Sequence, residues 1–149
     1  MTALLKVPAD VPADLVPVIA ECERVTRERA RNFWYGLKLT PGPARGAMYV
    51  IYAWMREADD LADAEGFAPE ERVRRIAAFR AATDAALAGT PVDASPIWRG
   101  LAWVADRHEL SLKDFHDMLD GQLSDVGPAT YESWDDLRGF CYRVASTVG

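Results

Sequence analysis

The residues best suited to do chemistry are Arg56, Asp59 and Asp63, in the segment GAMYVIYAWMREADDLADAEG from Gly46 to Gly66. On a helix that advances about 100° per residue, Met48, Tyr52, Met55, Arg56, Asp59 and Asp63 share a stripe under about a third of the circumference wide. Asp59 and Asp63 stand on neighbouring turns, and Asp60 points well away from them. Val50, Ile51, Trp54 and Leu61 make the other sides apolar as well. That predicts a helix buried on most sides, with Asp59 and Asp63 facing the interior. Carboxylates at this spacing repel, and burying them costs more unless a divalent cation compensates. Oxygen-only donors suit magnesium, which keeps some waters and completes its shell with phosphate oxygens. Asp59 and Asp63 are therefore the expected metal ligands, and Arg56, one turn earlier, is the expected diphosphate contact. The alternative is a solvated acidic helix end with Arg56 paired to Asp60. The aromatic and apolar stripe leading into the cluster decides against it.

The elements that must position this stripe are all helical, with no convincing alternating strand and no internal repeat. A first helix is expected from about Asp14 to Arg31, with Leu15, Ile19, Cys22 and Val25 on its apolar side. Its charged side, Glu21, Arg24, Arg27, Glu28 and Arg31, reads as a solvated face. The aromatic run NFWYGLKL, Asn32 to Leu39, follows. Thr40-Pro41 reads as a hydroxyl cap with proline opening a second helix, about Pro41 to Asp63. A third opens at Ala68-Pro69-Glu70-Glu71 and ends at Gly89 and Pro91. Ser95-Pro96 opens a fourth, Ser111 with Asp114 a fifth, and Ser133 with Asp136 a sixth. The sixth carries Leu137, Phe140, Cys141, Val144 and Val148, and the sequence stops at Gly149 in what reads as mid-helix. We therefore expect one all-α domain over residues 1–149, the N-terminal part of something longer.

Composition narrows the partners. The net charge of −6 argues against nucleic acid, which needs a basic surface. It does not argue against a diphosphate, because magnesium brings positive charge locally. Cys22 and Cys141 form no ligand or redox pattern and read as small buried apolar side chains. No signal peptide and no membrane-spanning run is visible, so a cytoplasmic protein is expected, touching a membrane surface at most. His108 and His116 lack partners at ligand spacing and read as surface residues.

The last segment, FCYRVASTVG, places Phe140, Val144, Ala145 and Val148 on one small and apolar helix face, which helix packing explains by itself. Taken together, RARNFWYGLKLTP, YVIYAWMREADDLAD and GFCYRVASTVG resemble, in order and spacing, the N-terminal half of squalene and phytoene synthases. The likeness covers nearly the whole chain. It is especially marked to bacterial presqualene diphosphate synthases around READDLAD.

That resemblance implies an all-α bundle around a central cavity and head-to-head joining of two prenyl diphosphates, farnesyl or geranylgeranyl. The products are presqualene diphosphate and squalene, or phytoene. It implies magnesium, or manganese in its place, on Asp59 and Asp63, and diphosphate on Arg56. A nicotinamide reductant such as NADPH is neither required nor excluded by these residues. The resemblance further implies that Tyr52 lines the site, that Phe33 lies near the cavity mouth, and that Val144, Val148 and Gly149 line the prenyl channel. Phe140 is a substrate-binding position where the family usually carries tyrosine, so proton handling there departs from the family pattern. The second aspartate-rich motif of the family is absent up to Gly149. The competing readings are a head-to-tail prenyl synthase or class I terpene cyclase, and a non-catalytic paralogue or assembly subunit.

Overall fold

The computed structural model describes residues 11–124 and 133–142. Among these there is no strand, as the periodicity predicts. After a 3₁₀ turn at Ala13–Leu15 come α1 (Val16–Arg29), α2 (Arg31–Leu37) and α3 (Gly42–Ala62). They are followed by α4 (Pro69–Leu87), α5 (Pro96–Arg107), α6 (Leu112–Ser124) and α7 (Trp134–Cys141). Among the described residues no helix is long and apolar enough to cross a membrane.

The first helix, expected up to about Arg31, ends two residues earlier, at Arg29. Ala30 leaves helical geometry at φ −134°, ψ 52°, while its N–H still bonds the Thr26 carbonyl at 2.9 Å. Just before the break, the fully buried Thr26 returns its hydroxyl to the Cys22 carbonyl at 2.8 Å, a back-bond that tends to bend helices. The aromatic run then forms α2 in a new direction. Its Leu37 is buried, while Phe33 and Tyr35 are exposed.

Helix starts follow the sequence in part. Thr40 does not cap α3: Pro41 holds that position with no side-chain bond, and the Thr40 carbonyl accepts from Arg45 Nη2 at 3.1 Å. Ser133 does cap α7, its hydroxyl accepting from the Asp136 N–H at 3.1 Å. Ser111 accepts from the Asp114 N–H at a longer 3.3 Å. Gly89 ends α4 at φ +83°, a left-handed conformation that glycine adopts without steric cost.

The core is organised around α3, which packs against α1, α4, α5 and α6. Val50, Trp54, Ala58 and Ala62 are its most deeply buried residues. Trp54 stacks on Phe79 of α4 at 5.7 Å, meets Phe115 of α6 edge-on at 4.8 Å, and donates its indole N–H to Thr83 at 2.9 Å. Gly100 of α5 lies directly over Val50. Cys22 is buried as expected, but Cys141 is exposed near the end of α7, so its reading as a buried apolar group is corrected. Burial is not uniform around α3 either. The stripe of Met48, Tyr52, Met55, Arg56 and Asp59 is only partly covered, so the helix is buried on most sides, as expected, and open along this one.

Candidate functional site

α3 carries the candidate site on its partly open stripe and towards its C-terminal end. Two features of the chain aim residues at it. The break at Ala30 turns α2 so that Phe33 stacks on Tyr52, ring centroids 6.0 Å apart at 30°. The helical spacing then puts Arg56 one turn beyond Tyr52, and Arg56 Nη1 donates to Asp59 Oδ2 at 3.0 Å. Asp63 ends the helix, its N–H bonding the Asp59 carbonyl at 2.9 Å, so the two aspartates do stand on consecutive turns.

Their surroundings differ from an enclosed interior. The Asp59 side chain is 34% exposed and that of Arg56 33%. Asp63, at the C-cap, is exposed. The phase of the stripe is as expected, whereas among the described residues no enclosed interior surrounds both carboxylates. Asp60 is also exposed, yet it is not idle. Its Oδ1 accepts from Arg29 Nη2 of α1 at 2.9 Å and lies 3.6 Å from Arg56 Nε. The pairing of Arg56 with Asp60, set aside in the sequence, is present alongside the Arg56–Asp59 bond.

These charges act on Tyr52. Burial pushes its hydroxyl above the ordinary tyrosine range, Arg56 and Arg29 pull it back, and Asp59 and Asp60 add to the rise. Glu57, one residue after Arg56, is raised by burial and by the nearby Asp60. Arg29 therefore belongs to the electrostatics of the site. It was missed because α1 reads as a solvated charged face, a reading that holds for Arg24, paired with Glu21 and Glu28 at 2.6 Å. No local spacing links Arg29 to Asp60, 31 residues away.

Among the described residues, hollows flank α3 on two sides. One of about 250 Å³ lies between Ile51, Trp54 and Met55 of α3 and Leu110 to Met118 at the start of α6. The other, about 280 Å³, runs among α1, α3 and the start of α5 and is lined by Arg29, Arg56 and Asp60.

The donor set can be tested against a divalent cation. Among the described residues no group of three or more His, Cys, Asp or Glu side chains is placed to hold a metal ion. Asp59 and Asp63 present two carboxylates on consecutive turns of α3. That fits magnesium, which takes one or two protein carboxylates and fills its shell with water and phosphate oxygens. Phe140 is a backbone position of α7, and Val144, Val148 and Gly149 lie outside the described residues.

Residues 26–149 match the family described as squalene/phytoene synthase. A 15-cis-phytoene synthase of Synechococcus elongatus is 32% identical over 95% of this chain and 45% of its own length. A phytoene synthase of Thermus thermophilus is 34% identical over 93% of this chain and 46% of its own. Among solved structures, the squalene synthase HpnC of Alicyclobacillus acidocaldarius superposes with a TM-score of 0.83 at 30% identity, covering 93% of this chain and 51% of that one. A dehydrosqualene synthase solved with a ligand gives 0.79 at 29%, covering 91% and 46%. The chain thus spans about half the length of the relatives it matches.

Proposed function

This chain belongs to the squalene/phytoene synthase family, and we propose that the protein it represents joins two prenyl diphosphates head to head, to presqualene diphosphate and, where a nicotinamide reductant supplies hydride, squalene, or to phytoene by loss of a proton. The observation that carries the reading is the single stripe on α3 where the Phe33–Tyr52 ring pair runs into Arg56, Asp59 and the turn bearing Asp63. A ring pair between α2 and α3 leads directly into charges of both signs along one face of α3.

In the resting protein Arg56 is held by Asp59. On this reading a diphosphate oxygen takes over the Arg56 guanidinium, a planar donor suited to phosphate, and releases Asp59 to act with Asp63 as a metal ligand. Bound magnesium, or manganese, supplies positive charge against the negative charge that develops on the leaving diphosphate. The bond between the allylic carbon and its diphosphate oxygen breaks. The double bond of the second prenyl chain attacks the resulting cation, and loss of a proton closes a cyclopropane. Arg56 steadies the departing group, and the rings of Phe33 and Tyr52 keep water from the cation. Phe140 carries no hydroxyl, so that proton leaves by another acceptor than a side chain at this position. The reaction belongs in the cytoplasm or at a membrane face, where prenyl chains are available.

The test is release of diphosphate from farnesyl or geranylgeranyl diphosphate by the intact protein. Release that depends on added magnesium and stops with a chelator is expected. Residues 1–149 alone are expected not to turn over, since they carry one aspartate-rich motif. No release by the intact protein would favour the non-catalytic reading.

A further inference from the structure

Asp60 is the residue of the acidic cluster that the stripe leaves out, and the structure gives it two arginines. Its Oδ1 accepts from Arg29 Nη2 at 2.9 Å and stands 3.6 Å from Arg56 Nε. Arg56 Nε is buried and makes no hydrogen bond, while the opposite edge of the same guanidinium, Nη1, holds Asp59 at 3.0 Å. Positive and negative groups therefore alternate from α1 across α3: Arg29, Asp60, Arg56, Asp59. The two carboxylates beside Arg56 differ in purpose. Asp59 is a ligand position that must let Arg56 go when substrate arrives, whereas nothing in the proposed reaction asks Asp60 to move.

We propose that Arg29 and Asp60 are positioning residues that hold the Arg56 guanidinium with its Nη1 edge turned to the diphosphate side. The inference rests on the proposed role of Arg56. A guanidinium on a flexible stem loses rotamer freedom when it binds, and a fixed carboxylate beside Nε removes part of that cost beforehand. Asp60 also separates two like charges: without it, Arg29 and Arg56 face each other across the groove that both line. The groups are half exposed, Arg29 44% and Asp60 43%, so the pair adds little to fold stability. Its effect is on where Arg56 points. The charges of both arginines reach the Tyr52 hydroxyl, which puts Arg29 on the site side of α1.

The test is calorimetric binding of inorganic pyrophosphate to the intact protein, with and without magnesium, together with thermal unfolding. Asp60→Asn and Arg29→Gln should each weaken pyrophosphate binding about 10–100-fold, the usual loss when a supporting partner is removed. Their unfolding temperatures should hardly move. Arg29→Lys should recover most of the affinity, because the contact is a single nitrogen on a single oxygen. In an Arg56→Gln background the Asp60→Asn loss should vanish, since Asp60 acts only through Arg56. Additive losses would overturn the proposal. So would a shift in the magnesium concentration needed for binding, which would make Asp60 a metal ligand. If Asp60→Asn does not fold, Arg29→Gln asks the same question from α1. Equal affinity in all variants overturns this inference alone. An unmutated protein that binds no pyrophosphate even with magnesium overturns the proposed function and this inference with it.

Discussion

Gly100 of α5 and Val50 of α3 touch so closely that a Cβ on Gly100 would sit 3.0 Å from Val50 Cγ2 and 3.2 Å from Cγ1. Both are buried, and Val50 is a stiff β-branched side chain at the centre of the bundle. Gly100→Ala should therefore destabilise the protein by about 1–3 kcal/mol through overpacking, against the gain that alanine brings to a helix. Gly46 is the control. Its added Cβ would meet Ile19 and Trp103 at an ordinary 3.6 Å, so Gly46→Ala should be neutral or stabilise by up to about 1 kcal/mol. Denaturant unfolding of the two variants checks this. If Gly100→Ala is as stable as Gly46→Ala, the α3–α5 contact is looser than described.

The Trp54 indole N–H is buried and donates to Thr83 Oγ1 at 2.9 Å, while the Thr83 hydroxyl donates to the Phe79 carbonyl at 2.8 Å. Thr83→Val keeps the shape but leaves the indole donor without a partner, which should cost about 1–3 kcal/mol. Thr83→Ser keeps the acceptor and loses only a methyl, about 1 kcal/mol. A smaller loss for the valine variant than for serine would show that the bond matters less than the methyl contact.

For catalysis by the intact protein, Asp59→Asn should reduce diphosphate release about 10²–10³-fold, as removal of one transition-state electrostatic contact does. Asp60→Asn should lose about tenfold, through Arg56. Steady-state release of diphosphate with saturating magnesium measures both. Equal losses would mean that the helix phase does not separate the two carboxylates.

Cys22 is raised from 9.0 to about 12, by burial first and by the adjacent Glu21 second. The folded protein therefore keeps this proton at a pH where the unfolded chain has lost it. Stability from this group is whole below pH 9.0 and falls as pH rises towards about 12. The slope should approach about 1.4 kcal/mol per pH unit within that window. Cys22→Ala lowers the starting stability by leaving a small void, but its unfolding free energy should fall less steeply above pH 9.0. Parallel slopes in the two proteins would assign the alkaline loss to other groups, such as the likewise raised Tyr49.

How much of this could be read from residues alone depends on how local each signal is. The helical succession from α3 onward was legible because those starts carry a Pro, a Ser or an acidic turn, and the α3 stripe because it needs only a 3.6-residue period. The order of Tyr52, Arg56, Asp59 and Asp63 survives intact. The end of α1 was legible to within two residues, but the helix that follows it and the meeting of Phe33 with Tyr52 were not, since they depend on contacts across space. The role of Arg29 was hidden for the same reason. One arginine in a charged run looks like its neighbours until another helix brings Asp60 to it. The exposure of Asp63 likewise follows from the helix ending at Ala62, a boundary that pattern fixes only to within a few residues.

The position of α3 among α1, α4, α5 and α6 also sets a clock. Amide protons around Val50 and Trp54 can exchange with solvent only when the whole bundle opens, so deuterium should enter there last. The final turn, Asp59 to Ala62, is held as well: Ala62 is buried and its carbonyl accepts from Arg72 Nη1 of α4 at 3.0 Å, while Asp60 is tied to Arg29 of α1. Tyr52 is thus anchored in the part of the molecule where deuterium should enter last. With its backbone fixed from α1 and α4, Asp59 exchanges Arg56 for another partner by turning its side chain alone.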